Sequence, residues 1–265
     1  MKFALNHMAA PKLGYAEFFD LALRLGINAV EIRNDIATSL MGNKNAKMIG
    51  KMAADKGITI ININGLQRWN QWNKAKADEA KKLAEYIALA GGKNLILVPT
   101  NDTKFKPVHE ERLEGIRVAL DGLKGILKDH GLIGCVEPLG FAECSLSLKS
   151  EAIAAIDAVG GSKRFKLTHD TFHHFVAGEK ELFADCTGLI HVSGVVDQKH
   201  TAATMRDAQR VMVDGADMVD NRGQVQKLHA AGYKGYVSFE PFAPSVHNSK
   251  QIAREIARSM DYLEG

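Results

Sequence analysis

Residues 75–100 read AKADEAKKLAEYIALAGGKNLILVPT. Ala80, Leu83, Ala84, Ile87 and Ala88 recur at helical spacing, which predicts a helix over Ala75–Ala90 with one apolar face. Gly91-Gly92 follows it, where a helix ends in a left-handed residue and a Cβ is costly. An apolar strand, Leu95–Pro99, comes next. Helix, glycine, apolar strand is the αβ half of a parallel-sheet unit.

The same phrase recurs in both directions along the chain. Strands are expected at Phe3–Asn6, Ala29–Arg33, Thr59–Asn64, Leu95–Pro99, Gly134–Glu137, Phe165–His169, Leu189–Val192 and Tyr236–Phe239. Between them the patterning predicts helices at Tyr15–Leu25, Ala46–Lys56, Glu110–Asp129, Lys149–Val159, Gly223–Ala230 and Lys250–Leu263. Gly26, Gly57, Gly131 and Gly232 each follow a helix, as Gly91 does. Eight units with no Pro/Ser-rich linker predict a single-domain α/β fold over residues 1–265, a closed (β/α)8 TIM barrel. A doubly wound sheet would carry a Gly-rich phosphate loop after its first strand. Here that strand runs into Asn6-His7-Met8-Ala9-Ala10-Pro11.

Composition agrees with one globular domain: 46% hydrophobic and 25% charged residues suffice for a full core. The net charge of +3 is small and its basic residues are scattered, which argues against nucleic acid as a partner. No apolar stretch approaches the roughly 20 residues of a membrane span, so no membrane partner is expected. The N-terminal residues Met1–Asn6 lack a long apolar run and read as a strand. Cys135, Cys144 and Cys186 form no CxxC pair. Together these features suit a cytoplasmic protein.

In a barrel, chemistry sits at the C-terminal ends of the strands. Strand five ends in Val136-Glu137-Pro138 and strand six runs to Thr168-His169-Asp170. Strand seven carries Ile190-His191-Val192, and strand eight ends in Phe239-Glu240-Pro241. Four consecutive strands thus bring a carboxylate or an imidazole to one rim. Three converging carboxylates would repel one another, and each is costly to desolvate alone. One divalent metal ion held by Glu137, Asp170, His191 and Glu240 offsets both costs. The mixed oxygen and nitrogen set suits Mn, Zn, Co or Mg. Each proline after Glu137 and Glu240 biases that glutamate to extended geometry at its strand end. His173, three residues past Asp170, can turn back over the rim toward a substrate or cap the segment that follows. His169 neighbours Asp170 on the strand and so points to the opposite face. Trp69 and Trp72, beside amides in Gln67–Trp72, suit either a wall stacked on a sugar ring or a loop packed on the barrel.

These residues resemble the xylose isomerase-like barrel superfamily over nearly the whole chain. The likeness is strongest in Val136-Glu137-Pro138-Leu139-Gly140 with Cys144, Asp170-Thr171-Phe172-His173, Ile190-His191-Val192 and Ser238-Phe239-Glu240-Pro241-Phe242. Ala29-Val30-Glu31-Ile32-Arg33 also looks like the family's second strand. Within the superfamily the chain looks most like the inosose (2-keto-myo-inositol) isomerases of inositol catabolism. The resemblance implies the same four metal ligands. It also implies that His173 and Arg210 contact substrate oxygens. Glu143 matches a substrate-contacting glutamate of ketose 3-epimerases in the same superfamily.

The expected partner is a small polyhydroxy ketone, and a homo-oligomer is compatible with the chain. The expected chemistry is proton transfer at the carbon next to the ketone, with Glu137 and Glu240 as acid/base pair on opposite sides of the substrate. Isomerisation, epimerisation by a ketose 3-epimerase, hydroxypyruvate isomerisation and inosose dehydration all pass through such a step. A non-enzymatic sugar or metal sensor is the contrasting class. Repair endonucleases of this barrel type need more metals. The first four strand ends, Asn6, Arg33, Asn64 and Thr100, offer few ligands for them.

Overall fold

A computed structural model of the chain describes residues 1–39 and 45–265. Its eight parallel strands close into a barrel in sequence order. They are β1 (Phe3–Asn6), β2 (Ala29–Arg33), β3 (Thr59–Gln67), β4 (Asn94–Val98), β5 (Ile133–Val136), β6 (Phe165–Asp170), β7 (Thr187–Val192) and β8 (Val237–Phe239). β1 pairs with β8 as well as with β2, which leaves no open edge. Around the barrel lie α1 (Tyr15–Arg24), α2 (Ala46–Asp55), α3 (Lys74–Leu89), α4 (His109–Asp129), α5 (Lys149–Ala158), α6 (Thr171–Ala177), α7 (Asn221–Ala230), α8 (Pro244–His247) and α9 (Ile252–Glu264).

The expected elements are present, with ends shifted by a few residues. Asn73 caps α3 by accepting from the Lys76 amide at 3.0 Å, and Gly91 ends the helix at φ +86°. Gly26, Gly57, Gly131 and Gly232 also have positive φ, as the helix–glycine–strand phrase requires. Two differences have physical causes. β3 runs three residues beyond Asn64, because its pairing with β4 shifts register between Asn64 and Leu66. Gly65 permits that bulge: a Cβ there would sit 2.7 Å from the Ile96 carbonyl oxygen. The second difference is α6, too short to show helical periodicity in sequence. The Asp170 carboxylate starts it by accepting from the His173 amide at 3.0 Å.

The main apolar core packs helix residues such as Phe18, Ile49, Leu83 and Leu120 against strand residues such as Leu5, Val30 and Leu97. A second cluster, Ala4, Ala29, Ile61, Ile96, Cys135 and Leu189, joins strand to strand around the barrel. Two residues further along β2, β5 and β7 the chain becomes polar, at Glu31, Glu137 and His191. Side chains at i and i+2 share a face, so these polar groups stand directly above the apolar plug. All three are buried.

Candidate metal centre

Glu137, Asp170, His191 and Glu240 converge. One ligand atom from each lies within 4.8 Å of the others, and all four residues are buried. β6 and β7 carry Asp170 and His191 within the sheet, where their Cα atoms are register partners. Glu137 and Glu240 are the first residues past β5 and β8. The Glu137 amide donates to Leu97 and the Glu240 amide to Val192, so both backbones stay tied to the neighbouring strand. The set of three carboxylate oxygens and one imidazole nitrogen fits a divalent cation.

His191 lies at the centre of the charge. Its Nδ1 is 2.8 Å from Glu137 Oε1 and 3.2 Å from Glu240 Oε2. Its Nε2 is 3.0 Å from Glu31 Oε2. Burial alone would lower the imidazole pKa, but Glu240, Glu31 and Glu137 hold it well above the ordinary value.

The two glutamates differ. Glu240 Oε1 accepts from Arg33 Nη1 at 2.7 Å, Asn64 Nδ2 at 2.9 Å and Asn6 Nδ2 at 3.2 Å. Its Oε2 accepts from Arg210 Nη2 at 3.2 Å. Burial pushes this carboxyl up, but His191, Arg33 and Arg210 outweigh it and leave the pKa well below the ordinary carboxylate range. Among the described residues, the Glu137 side chain has His191 as its one hydrogen-bond partner. Burial pushes its pKa to about 7, with Glu240 and Asp170 adding to the rise and His191 opposing it.

Arg33 is itself fixed. Asp35 accepts two bonds from it at 2.7 Å, and the Phe242 ring lies 5.5 Å away. Arg210 is 1% exposed and sits against Phe172 and Phe242. It donates to Ser193 Oγ at 2.8 Å, Asp207 Oδ1 at 3.2 Å and Asp170 Oδ2 at 2.6 Å. The His173 Nε2 lies 3.5 Å from Arg210 Nη1, at the limit of a hydrogen bond. His173, on α6, is buried edge-on against Phe141 and Phe172.

A cavity of about 320 Å³ opens above these groups. Glu137, Glu240, His173 and Arg210 line it, together with Asp35, Gln67, Arg68 and Asn101. Two expected substrate contacts lie elsewhere. Trp69 is 0% exposed in the main core and forms no part of the cavity wall. The loop after β3 presents Gln67 and Arg68 to the cavity instead, and its other indole, Trp72, packs where α4 has Gly122. Glu143, in the loop after β5, lines a separate surface cleft with Lys106 and Arg112. His169 points away from the site, as expected, with Lys149 Nζ and Gln224 Oε1 as partners at 3.0 and 2.9 Å.

Reading strand ends alone misses Glu31, which lies two residues before the end of β2. Alternation was the available signal: Ala29, Glu31 and Arg33 share one face of a strand whose five residues are all buried. The same reading treats Arg33 only as a poor metal ligand, whereas it clamps Glu240.

The sequence pattern of the xylose isomerase-like TIM barrel family matches residues 19–263. No curated protein matches the chain. Among solved structures, a xylose isomerase domain-containing protein of Salmonella typhimurium LT2 is 31% identical, with a TM-score of 0.90. That match covers 100% of this chain and 97% of the other. The IolI protein, solved with a zinc atom bound, is 19% identical with a TM-score of 0.88, over 99% and 98% of the chains. A D-psicose 3-epimerase of Clostridium cellulolyticum H10, solved with D-tagatose, is 15% identical with a TM-score of 0.78, over 100% and 98%. These last two likenesses carry the fold alone. The family match and the Salmonella relative carry more, and the chain belongs to the xylose isomerase-like TIM barrel family.

Proposed function

We propose that the protein is a divalent-metal-dependent isomerase of a small polyhydroxy ketone, with 2-keto-myo-inositol as the leading substrate. The observation that carries this reading is the four-residue set of Glu137, Asp170, His191 and Glu240, two of which, Glu137 and Glu240, line a sugar-sized cavity. A cation held by these residues would supply positive charge that acidifies a hydrogen next to a ketone.

The chain's own groups divide the remaining work. Glu137, whose side chain has His191 as its one hydrogen-bond partner among the described residues, takes the carbon-bound proton and returns it. Glu240, kept ionised and in place by Arg33 and Arg210, serves as a ligand rather than as the proton acceptor. His173 Nε2 and Arg210 Nη1 hold each other only weakly, so both can turn a donor to a substrate oxygen. Gln67, Arg68 and Asn101 meet hydroxyls at the far wall. Return of the proton to the adjacent carbon, with the hydroxyl proton passing to the former carbonyl oxygen so that the carbonyl shifts, is isomerisation. Its return to the same carbon from the other face is epimerisation. The position of Glu143 outside the cavity favours isomerisation, because the expected epimerase-type contact is missing from the wall.

Membership of the xylose isomerase-like TIM barrel family supports a sugar-like substrate. The test is a panel of inososes and ketoses in deuterated water, with metal-loaded protein, read by NMR. Deuterium enters the carbon next to the carbonyl of the true substrate, and a shifted carbonyl appears. Binding of every candidate without any exchange would make the protein a sensor.

A further inference from the structure

We infer that Glu31 is a positioning residue for the metal: it fixes the His191 ring so that Nδ1 offers its lone pair to the cation. The inference rests on the reading of Glu137, Asp170, His191 and Glu240 as a metal centre. His191 bridges two levels of the barrel. Nδ1 faces Glu137 and Glu240, and Nε2 faces Glu31 at 3.0 Å. A neutral imidazole has one N–H and one lone pair, so only one nitrogen can bind a metal. An ionised carboxylate is acceptor-only. Both nitrogens face carboxylates, so a cation seated among Glu137, Asp170 and Glu240 would displace the Nδ1 proton, while Nε2 keeps its hydrogen on Glu31 and the lone pair points toward the other three ligands. The opposite tautomer would aim a lone pair at Glu31 and an N–H at the cation.

Glu31 is itself held from three strands. Its Oε2 accepts from His191 and, at 2.6 Å, from Asn62 Nδ2, while Oε1 accepts from Ser238 Oγ. Asn62 spends its amide N–H on Glu31, while its buried Oδ1 has no hydrogen-bond partner among the described residues. Packing alone does not call for such an arrangement. Interiors of these barrels are usually filled by branched apolar side chains, and the cluster beneath Glu31 is apolar. A carboxylate with 0% exposure is costly there, and its close contact with the one nitrogen ligand gives it a purpose.

The test is calorimetric titration of Zn²⁺ and Mn²⁺ into metal-stripped wild type, Glu31→Gln, Glu31→Asp and Asn62→Ala. Circular dichroism melts of the metal-free proteins serve as the folding control. We expect Glu31→Gln to bind metal about 10–100-fold more weakly while keeping its fold. Glu31→Asp, which keeps the charge, falls between the two, and Asn62→Ala shows a smaller loss in the same direction. In ¹⁵N NMR of the imidazole, wild type with metal shows the hydrogen on Nε2, and Glu31→Gln loses that preference. Wild-type affinity in Glu31→Gln would overturn the inference and leave the metal centre standing. Should Glu31→Gln fail to fold, wild-type affinity in both Glu31→Asp and Asn62→Ala overturns it equally. Wild type that binds neither metal would remove the metal centre itself, and this inference with it.

Discussion

Glu137 and Glu240 bear the same functional group but meet opposite surroundings. Four donors, two of them arginine, surround Glu240, and a single imidazole meets Glu137. Charge-assisted bonds hold a carboxylate ionised and in place, which suits a ligand and makes a poor proton acceptor. The two should therefore separate on mutation. Glu137→Gln, at equal metal occupancy, should slow deuterium exchange by about 10²–10⁴-fold, the usual cost of losing a positioned base. Glu240→Gln should lose metal first and retain more exchange per bound metal. Metal content and exchange measured on the same samples check both. Equal losses at equal occupancy would contradict the division of roles. The sequence pointed to all four residues of the buried cluster that could hold a metal, because each lies at or beside a strand terminus where function gathers. Their electrostatic difference was not legible, because it comes from Asn6, Arg33 and Asn64, on β1, β2 and β3, which face Glu240 only once the barrel closes.

At the scale of elements, the sequence did not announce the two shortest helices, α6 and α8, and α6 bears on the site. Seven residues give too little periodicity, and Asp170 both ends β6 and caps the helix. The cap aligns the helix with the site, because one carboxylate serves the His173 amide and Arg210 together. The loop after β5 presses on this helix at Gly140, where an added Cβ would lie 2.1 Å from the His173 carbonyl oxygen and 2.6 Å from the Ala177 amide nitrogen. Backbone cannot yield as a flexible side chain can. Gly140→Ala should therefore cost about 1–3 kcal/mol in denaturant unfolding, as overpacking does. It should also weaken metal binding, since α6 moves with Asp170 and His173. A neutral result in both measurements would show that the loop can retreat without disturbing α6. Long elements were readable for the opposite reason: α3 and α4 repeat their apolar stripe over several turns, and a glycine closes each.

Across the whole molecule, the barrel divides into an apolar lower plug and a charged upper layer, and the apolar part was the easier to read. Periodicity records burial, so eight buried strands and their count pointed to closure. The upper layer breaks that rule. Glu31, Arg33, Asn62 and Asn64 are polar residues in buried strands, where local patterning gives no reason for them. Trp69 shows the converse: beside amides in a loop it suits a sugar wall, and only the packed fold shows it in the core. The polar layer makes sense if a cation completes it, and that can be measured directly. Protein purified without chelator, or stripped and then titrated, should bind one divalent metal per chain by elemental analysis and calorimetry. His191→Ala should lose most of that binding. A folded wild-type protein with no measurable affinity for Mn²⁺, Zn²⁺, Co²⁺ or Mg²⁺ at neutral pH would contradict the account.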